Sequence, residues 1–444
     1  MTSVANLAAE LEPDLSPEGV PARPLIFIPL ERWRNAPPAA IADAARAVAR
    51  ALPVTAGVLE GPPSRALAPL IEAATLTMAA TSVGEQAVVP LGDLGCDLGE
   101  AAARLRAAVA RSPRAAIACG QLVRQTAVLA PRPGTGTTEA LAAEAAAYSL
   151  LLGGPEFARW LAERGAPRRR PSSPEPVRVE REAGSLCVVL DDPARRNAFS
   201  GRMREALLNS MELAEADDTI ESVTLRGSGP AFCAGGDLDE FGTAKDLVAA
   251  YMVRLARAPW RVMDRIAVKV TVYAHGACVG AGTEIAAYAG RVVAAPDAFF
   301  ELPEVRMGLV PGAGGSVSVP RRIGRWRAAW LMLTGDRLPA ATALRWGLAD
   351  DISDFAGPEP GAAGNLPRGS GCVRAASRAG LLREQLRPHL TYRPSEARCG
   401  RAAQRMLKRR RTDDCYSRRR GRYRNRAARG VAGACPAAGR TAGH

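Results

Sequence analysis

Two rhythms of apolar and polar positions alternate along residues 23–353. Short apolar runs, Leu25-Ile26-Phe27-Ile28 and Val54-Thr55-Ala56-Gly57-Val58-Leu59, predict strands. Between and after them, the Ala-rich amphipathic stretches Ala39 to Leu52 and Leu98 to Ala110 predict helices. Thr138 to Arg164 predicts a longer helix, interrupted or bent near Gly153-Gly154-Pro155. Residues 23–165 therefore read as a small α/β domain, and no segment of it carries a chemical motif by itself. A Pro- and Arg-rich stretch over 166–176 reads as an exposed linker. Beyond it, Leu186 to Leu190, Val223-Thr224-Leu225 and Val268 to Val272 predict strands. Ser200 to Glu215 predicts a helix with Ser200 as its N-cap. Strand–helix–strand order predicts parallel crossover units in a second α/β domain over 177–353. After Ser353 the periodicity stops.

Composition changes this picture in two places. The net charge of +14 looks like a nucleic-acid binder, but residues 354–444 hold 21 Lys+Arg against 6 Asp+Glu. The rest of the chain is close to neutral. The tail is expected to be disordered, and its Arg runs offer the one route to nucleic acid. Its Arg, Ala, Gly, Pro and Cys content also fits a GC-rich gene translated out of frame, which is the preferred reading; three lysines in the whole chain point the same way. Residues 1–22 are expected to be a flexible N-terminus, and Glu10, Glu12 and Asp14 with no early Lys or Arg argue against a secretory leader. Nine cysteines without metal-like pairing predict a reduced, cytoplasmic setting and no metal site. No apolar run approaches the ~18 residues of a membrane span.

The chemistry concentrates at two glutamates set among glycines. Glu284 closes Gly276-Ala277-Cys278-Val279-Gly280-Ala281-Gly282-Thr283-Glu284, and Glu304 lies in Pro303 to Gly315, which ends Pro311-Gly312-Ala313-Gly314-Gly315. Glycines let backbone N–H groups approach a ligand, and carboxylates beside such donors suit proton transfer on a carbonyl compound. These two segments, with Ala194-Arg195-Arg196-Asn197-Ala198-Phe199 and Ala231-Phe232-Cys233-Ala234-Gly235-Gly236-Asp237-Leu238, resemble in order and spacing the crotonase (enoyl-CoA hydratase/isomerase) superfamily. Thr334-Gly335-Asp336 followed by Ala340 to Leu348 extends the match across about 177–352.

The resemblance implies a crotonase-like spiral of ββα units acting on an acyl-CoA thioester, as a lyase or isomerase of fatty acid metabolism. It needs no cofactor beyond the coenzyme A of its substrate, and it assembles as a homotrimer or hexamer. It implies an oxyanion hole from the backbone N–H groups of Ala234 and Ala281, and acid/base roles for Glu284 and Glu304. Contacts to coenzyme A fall to Arg195 or Arg196, Asn197, Ala198, Gly235, Asp237 and Gly280. Alternatives are another thioester-enolate reaction (hydrolysis, decarboxylation or cofactor-free oxygenation) and a non-catalytic acyl-CoA binder. Cys233, Cys278 and His275 read as packing or structural residues. The helices that normally follow Trp346-Gly347-Leu348 in this family are replaced by the tail. Leu141 to Gly165, with Glu144, Tyr148, Leu151-Leu152 and Phe157, resembles the family's closing helix. The first domain is therefore expected to be a degenerate crotonase-like unit that supplies this helix in cis.

Overall fold

The computed structural model describes residues 4–80, 87–166 and 171–355, all within one compact unit. The basic tail from residue 356 onward, with its expected disorder and reading frame, lies outside the described residues.

The chain opens with helix α1 (Val4–Leu11), whose Leu7 and Leu11 are buried. One turn apart on a single face, they pack on α2 (Pro38–Arg50). The expected flexible start is corrected to this extent: an apolar i, i+4 pair suffices to dock the segment. Strand β1 (Leu25–Pro29) precedes α2, and β2 (Val54–Leu59), α3 (Ala68–Ala73), β3 (Leu76–Ala79) and β4 (Val89–Pro90) follow it. The four strands form a parallel sheet in sequential order. After the short α4 (Leu91–Leu94) come α5 (Leu98–Arg111), α6 (Pro113–Leu129), α7 (Thr137–Leu152) and α8 (Pro155–Arg164). Asp97 and Glu100 form a capping box at the start of α5. The interruption or bend expected near Gly153-Gly154-Pro155 is an interruption, because Gly153-Gly154 leave the first helix and Pro155 starts the second.

A polar edge strand β5 (Val177–Glu182) pairs antiparallel with β6 (Ser185–Leu190). Then follow α9 (Gly201–Ala216), capped by Ser200, β7 (Ser222–Gly227), α10 (Leu247–Ala256), α11 (Pro259–Arg265) and β8 (Val270–Ala274). Next are β9 (Ala277–Val279), α12 (Ala281–Ala286), β10 (Arg291–Ala294), β11 (Phe299–Glu301), α13 (Gly315–Ile323), α14 (Arg325–Thr334), β12 (Leu338–Pro339), α15 (Ala340–Trp346) and β13 (Asp351–Ile352). The main sheet runs β13-β10-β8-β7-β6-β5, parallel except for its charged edge β5. A small sheet β12-β11-β9 stands beside it. This is the crotonase-like α/β arrangement expected from the sequence.

The two regions do not keep separate cores. One apolar cluster joins Leu122, Tyr148 and Phe157 of the first region to Leu225, Leu309 and Trp330 of the second. A smaller cluster around Leu7, Ile28, Ile41 and Leu70 belongs to the first region alone. Polar ties cross the junction. The Trp326 indole donates to Ile71 O at 2.9 Å, Trp346 to Asp93 Oδ2 at 2.9 Å and Thr126 Oγ1 to Ser316 O at 2.6 Å. Buried Asp264 accepts from Gly134 N, Thr137 Oγ1 and Arg321 Nη1 at 2.9, 2.7 and 2.6 Å. The preceding small domain is thus corrected to a layer fused onto the second region.

Asp264→Ala strips a buried guanidinium of its counter-ion, and such a loss costs about 3–5 kcal/mol. Urea denaturation of the full chain is expected to show that drop, and a loss below about 1 kcal/mol counts against Asp264 as a tie between the regions.

Candidate active site

Glu284 lies in the first turn of α12, which Gly280 starts at φ +49°. Its carboxylate is buried, and one oxygen, Oε2, accepts N–H groups from Ala313 at 2.7 Å and Gly315 at 2.8 Å. A side chain at position 315 would place Cβ 2.6 Å from Glu284 Cγ, so only glycine lets this backbone come so close to the Glu284 side chain. Glu304 opens a 3₁₀ turn, Glu304–Met307, which follows β11 after Leu302 and Pro303. Its Oε1 lies where a Cβ on residue 280 would be, at 2.6 Å, and its buried Oε2 has no hydrogen-bond partner. Glu301 is not free for chemistry: it is paired with Arg306 and Arg337.

Both carboxylates face one cavity of about 630 Å³, lined also by Phe199, Gly236, Asp237, Trp260 and Ala281. Burial, then the neighbouring Glu304 and Glu144, push Glu284 well above the usual carboxylate range. Burial, followed by the charges of Glu144 and Glu301, pushes Glu304 up to about 8. A second cavity of about 640 Å³ near Arg321 and Tyr288 holds none of these carboxylates, and its Asp264 is already fully partnered.

Ala281 stands at the mouth of α12 with an N–H that no acceptor among the described residues takes. Ala234 does not share this property. Its N–H donates to Arg196 O at 3.0 Å, and the residue does not line the cavity. The donor two residues on is Gly236. Phe199 N donates to Gly235 O at 2.7 Å and Asp237 N to Phe199 O at 3.2 Å, so the strand-like alternation turns the Gly236 N–H to the opposite side. No described acceptor takes it, and Gly236 lines the cavity. The expectation for Ala234 is corrected to Gly236, because bridge register, invisible in the motif, decides which N–H is left unbonded.

The loop expected to meet coenzyme A is built differently from the expectation. Arg195 is held by Asp237 and by Asp239, the latter at 2.8 Å, and its side chain is 13% exposed. Its charge is answered within the protein, and Asp237 is the group that answers it while also lining the cavity. Arg196 is exposed, at φ +54°. The Asn197 side chain is buried: Nδ2 donates to Ser228 O and Ala231 O at 2.9 and 2.8 Å, and Oδ1 accepts from Asp192 N at 2.8 Å. It pins the loops together. Neither Ala198 nor Gly235 lines the cavity; Gly235 (φ +98°) backs against Val279 O. His275 bonds Gly229 O at 2.9 Å, and burial raises the Cys233 thiol to about 12, which suits packing.

Sequence motifs missed part of the wall. Tyr148 and Leu152 of α7 and Arg254 of α10 line the cavity. The Arg254 guanidinium lies 3.6 Å from the Tyr148 ring centre and donates to Gly312 O at 2.9 Å. Glu144, also on α7, is buried beside them. The resemblance of 141–165 to a closing helix was the available signal.

With this geometry in place, the chain can be set beside known proteins. The sequence description of enoyl-CoA hydratase/isomerase matches residues 180–355. The 2,3-dehydroadipyl-CoA hydratase of Escherichia coli K12 is 33% identical over 174 residues, 39% of this chain and 68% of that protein. The chain belongs to the enoyl-CoA hydratase/isomerase family. Another member, the 1,2-epoxyphenylacetyl-CoA isomerase of Escherichia coli K12, is 34% identical over 178 residues, covering 39% and 68%. The enoyl-CoA hydratase structure from Thermoplasma volcanium is 32% identical, covers 41% of this chain and 73% of its own, and superimposes with a TM-score of 0.37. The sequence matches carry the family assignment. Among the described residues no helix is long and apolar enough to cross a membrane.

Raised carboxylate pKa values make stability depend on pH. A carboxyl that holds its proton more tightly when folded favours the fold below its unfolded value near 4.5, and that contribution is lost as pH rises to about 8. Stability is therefore expected to fall between about pH 4.5 and 8. Glu304→Gln, which cannot ionise, should flatten that decline in thermal melts. An identical slope in the variant contradicts the burial of Glu304.

Proposed function

We propose that the protein hydrates the double bond of a 2-enoyl-CoA thioester, or runs the reverse dehydration. The observation that carries this reading is the meeting of Glu284 and Glu304 in one cavity with the unbonded N–H groups of Gly236 and Ala281. In this reading the thioester oxygen accepts both N–H groups. These donors do not titrate, and they bind an enolate oxygen more strongly than a ground-state carbonyl, which lowers the barrier.

The hydrogen bonds divide the acid/base work. Glu284 takes two N–H bonds at the N-terminus of α13, which favour its anion against the burial and the neighbouring carboxylates that raise it. It acts as the base that takes a proton from water as the water oxygen bonds Cβ. The π electrons move through Cα to the thioester oxygen. Glu304, with an unpartnered oxygen and a pKa raised to about 8, holds the proton that Cα then receives. The proton on Glu284 returns to Glu304 to reset the pair. The sum is one water added across one double bond.

In Glu284→Gln or Glu304→Gln, kcat for crotonyl-CoA hydration is expected to fall by at least about 10²-fold while acyl-CoA binding persists. Mass spectrometry distinguishes a gain of water from double-bond migration, the isomerase outcome. Binding without turnover of any enoyl-CoA by the unaltered protein defeats the proposal in favour of an acyl-CoA binder.

A further inference from the structure

Glu144 belongs to α7, ahead of the segment 180–355 that matches the family. It is 2% exposed, yet it points its carboxylate at the same backbone that holds Glu284. Gly314 N donates to its Oε1 at 2.7 Å; Ser316 N and Ser316 Oγ donate to its Oε2 at 2.9 and 2.6 Å. Ala313 N and Gly315 N go to Glu284. Four consecutive N–H groups at the start of α13 thus alternate between two carboxylates. Neither carboxylate can move without moving the other's donors.

We propose that Glu144 is a positioning residue for Glu284: it fixes residues 313–316 so that two N–H groups meet the Glu284 carboxylate, and its charge adds to the field of the glutamate pair. This rests on the hydratase reading for its kinetic consequence alone. The groups around Glu144 are Glu284, Glu304, Arg254, Tyr288 and Cys119, with Tyr148 one turn further along α7. Arg254 is the one cation among these six. Burial raises Glu144 to about 7, with its three hydrogen bonds and Arg254 opposing. It therefore carries part of a negative charge at neutral pH, and that charge raises both partners. A glutamine here keeps the shape, removes the charge and turns an N–H toward at least one of the three donors.

The test uses the full chain with Glu144→Gln. Crotonyl-CoA hydration is expected to lose about 10- to 100-fold in kcat with KM within about threefold. The pH–rate profile should move to lower pH, because removing a like charge lets Glu284 and Glu304 lose protons more easily. A merely structural role would lower the melting temperature without moving that profile. Carbon-13 carboxyl NMR supplies a readout independent of activity: the Glu284 resonance, identified by its absence in Glu284→Gln, should titrate at lower pH in Glu144→Gln. If the unaltered protein turns over no enoyl-CoA, the hydratase reading fails while this titration still decides the role of Glu144. Should Glu144→Gln not fold, Ser316→Ala, which removes one donor to Glu144, should show the same shifts at smaller size. A folded variant with an unmoved Glu284 titration, or with unchanged kcat in an active protein, overturns the proposal.

Discussion

The N-terminus of α13 is the constraint on which the rest of the site depends. A buried carboxylate without partners costs several kcal/mol, and the first N–H groups of a helix have no partners within the helix. Residues 313–316 resolve both problems at once by giving alternate N–H groups to Glu284 and Glu144. The close approach requires glycine at 315, where any side chain would strike Glu284. It also requires α7 to be seated over the second region. The shared apolar core, the tie of Thr126 to Ser316 and the Asp264 cluster hold that seat. Fold and site are therefore one problem, because the element that closes the core also carries a carboxylate to the helix that holds Glu284.

Three glutamates now share a small volume with one guanidinium above Tyr148. Arg254 lowers Glu144, and Tyr148 is itself raised first by burial, with Glu304 and Glu284 adding to that. The consequence is a cavity in which protons are held tightly near neutral pH. That suits addition of water, which needs one carboxylate bare and one protonated at the same time. In the proposed reading, the two N–H bonds to Glu284, set against the unpartnered oxygen of Glu304, decide which carboxylate is bare.

Legibility in the sequence followed physical locality. Glu284 and Glu304 were readable because glycines and carboxylates adjacent in sequence stay adjacent in space. The parallel strands β6, β7 and β8 were readable from their apolar runs. The unbonded N–H was misplaced by two residues, at Ala234, since a single bridge between Phe199 and Gly236 sets which N–H is left over. Arg195 looked like a phosphate ligand because the chain does not announce that Asp237 and Asp239 fold back on it. Glu144 and Tyr148 lie more than 130 residues before Glu284, and only tertiary packing makes them neighbours. Docking of α1 turned on two leucines, too few to mark a helix by periodicity.

The central claim is that one thioester meets two backbone donors and two glutamates in a cavity completed by α7. A crystal structure of the full chain with acetoacetyl-CoA, an enolisable thioester, tests it most directly. The account predicts the thioester oxygen about 3 Å from both the Gly236 and Ala281 nitrogens, with Cα and Cβ turned toward Glu284 and Glu304. A thioester bound outside this cavity, or one whose oxygen meets neither N–H group, would contradict it.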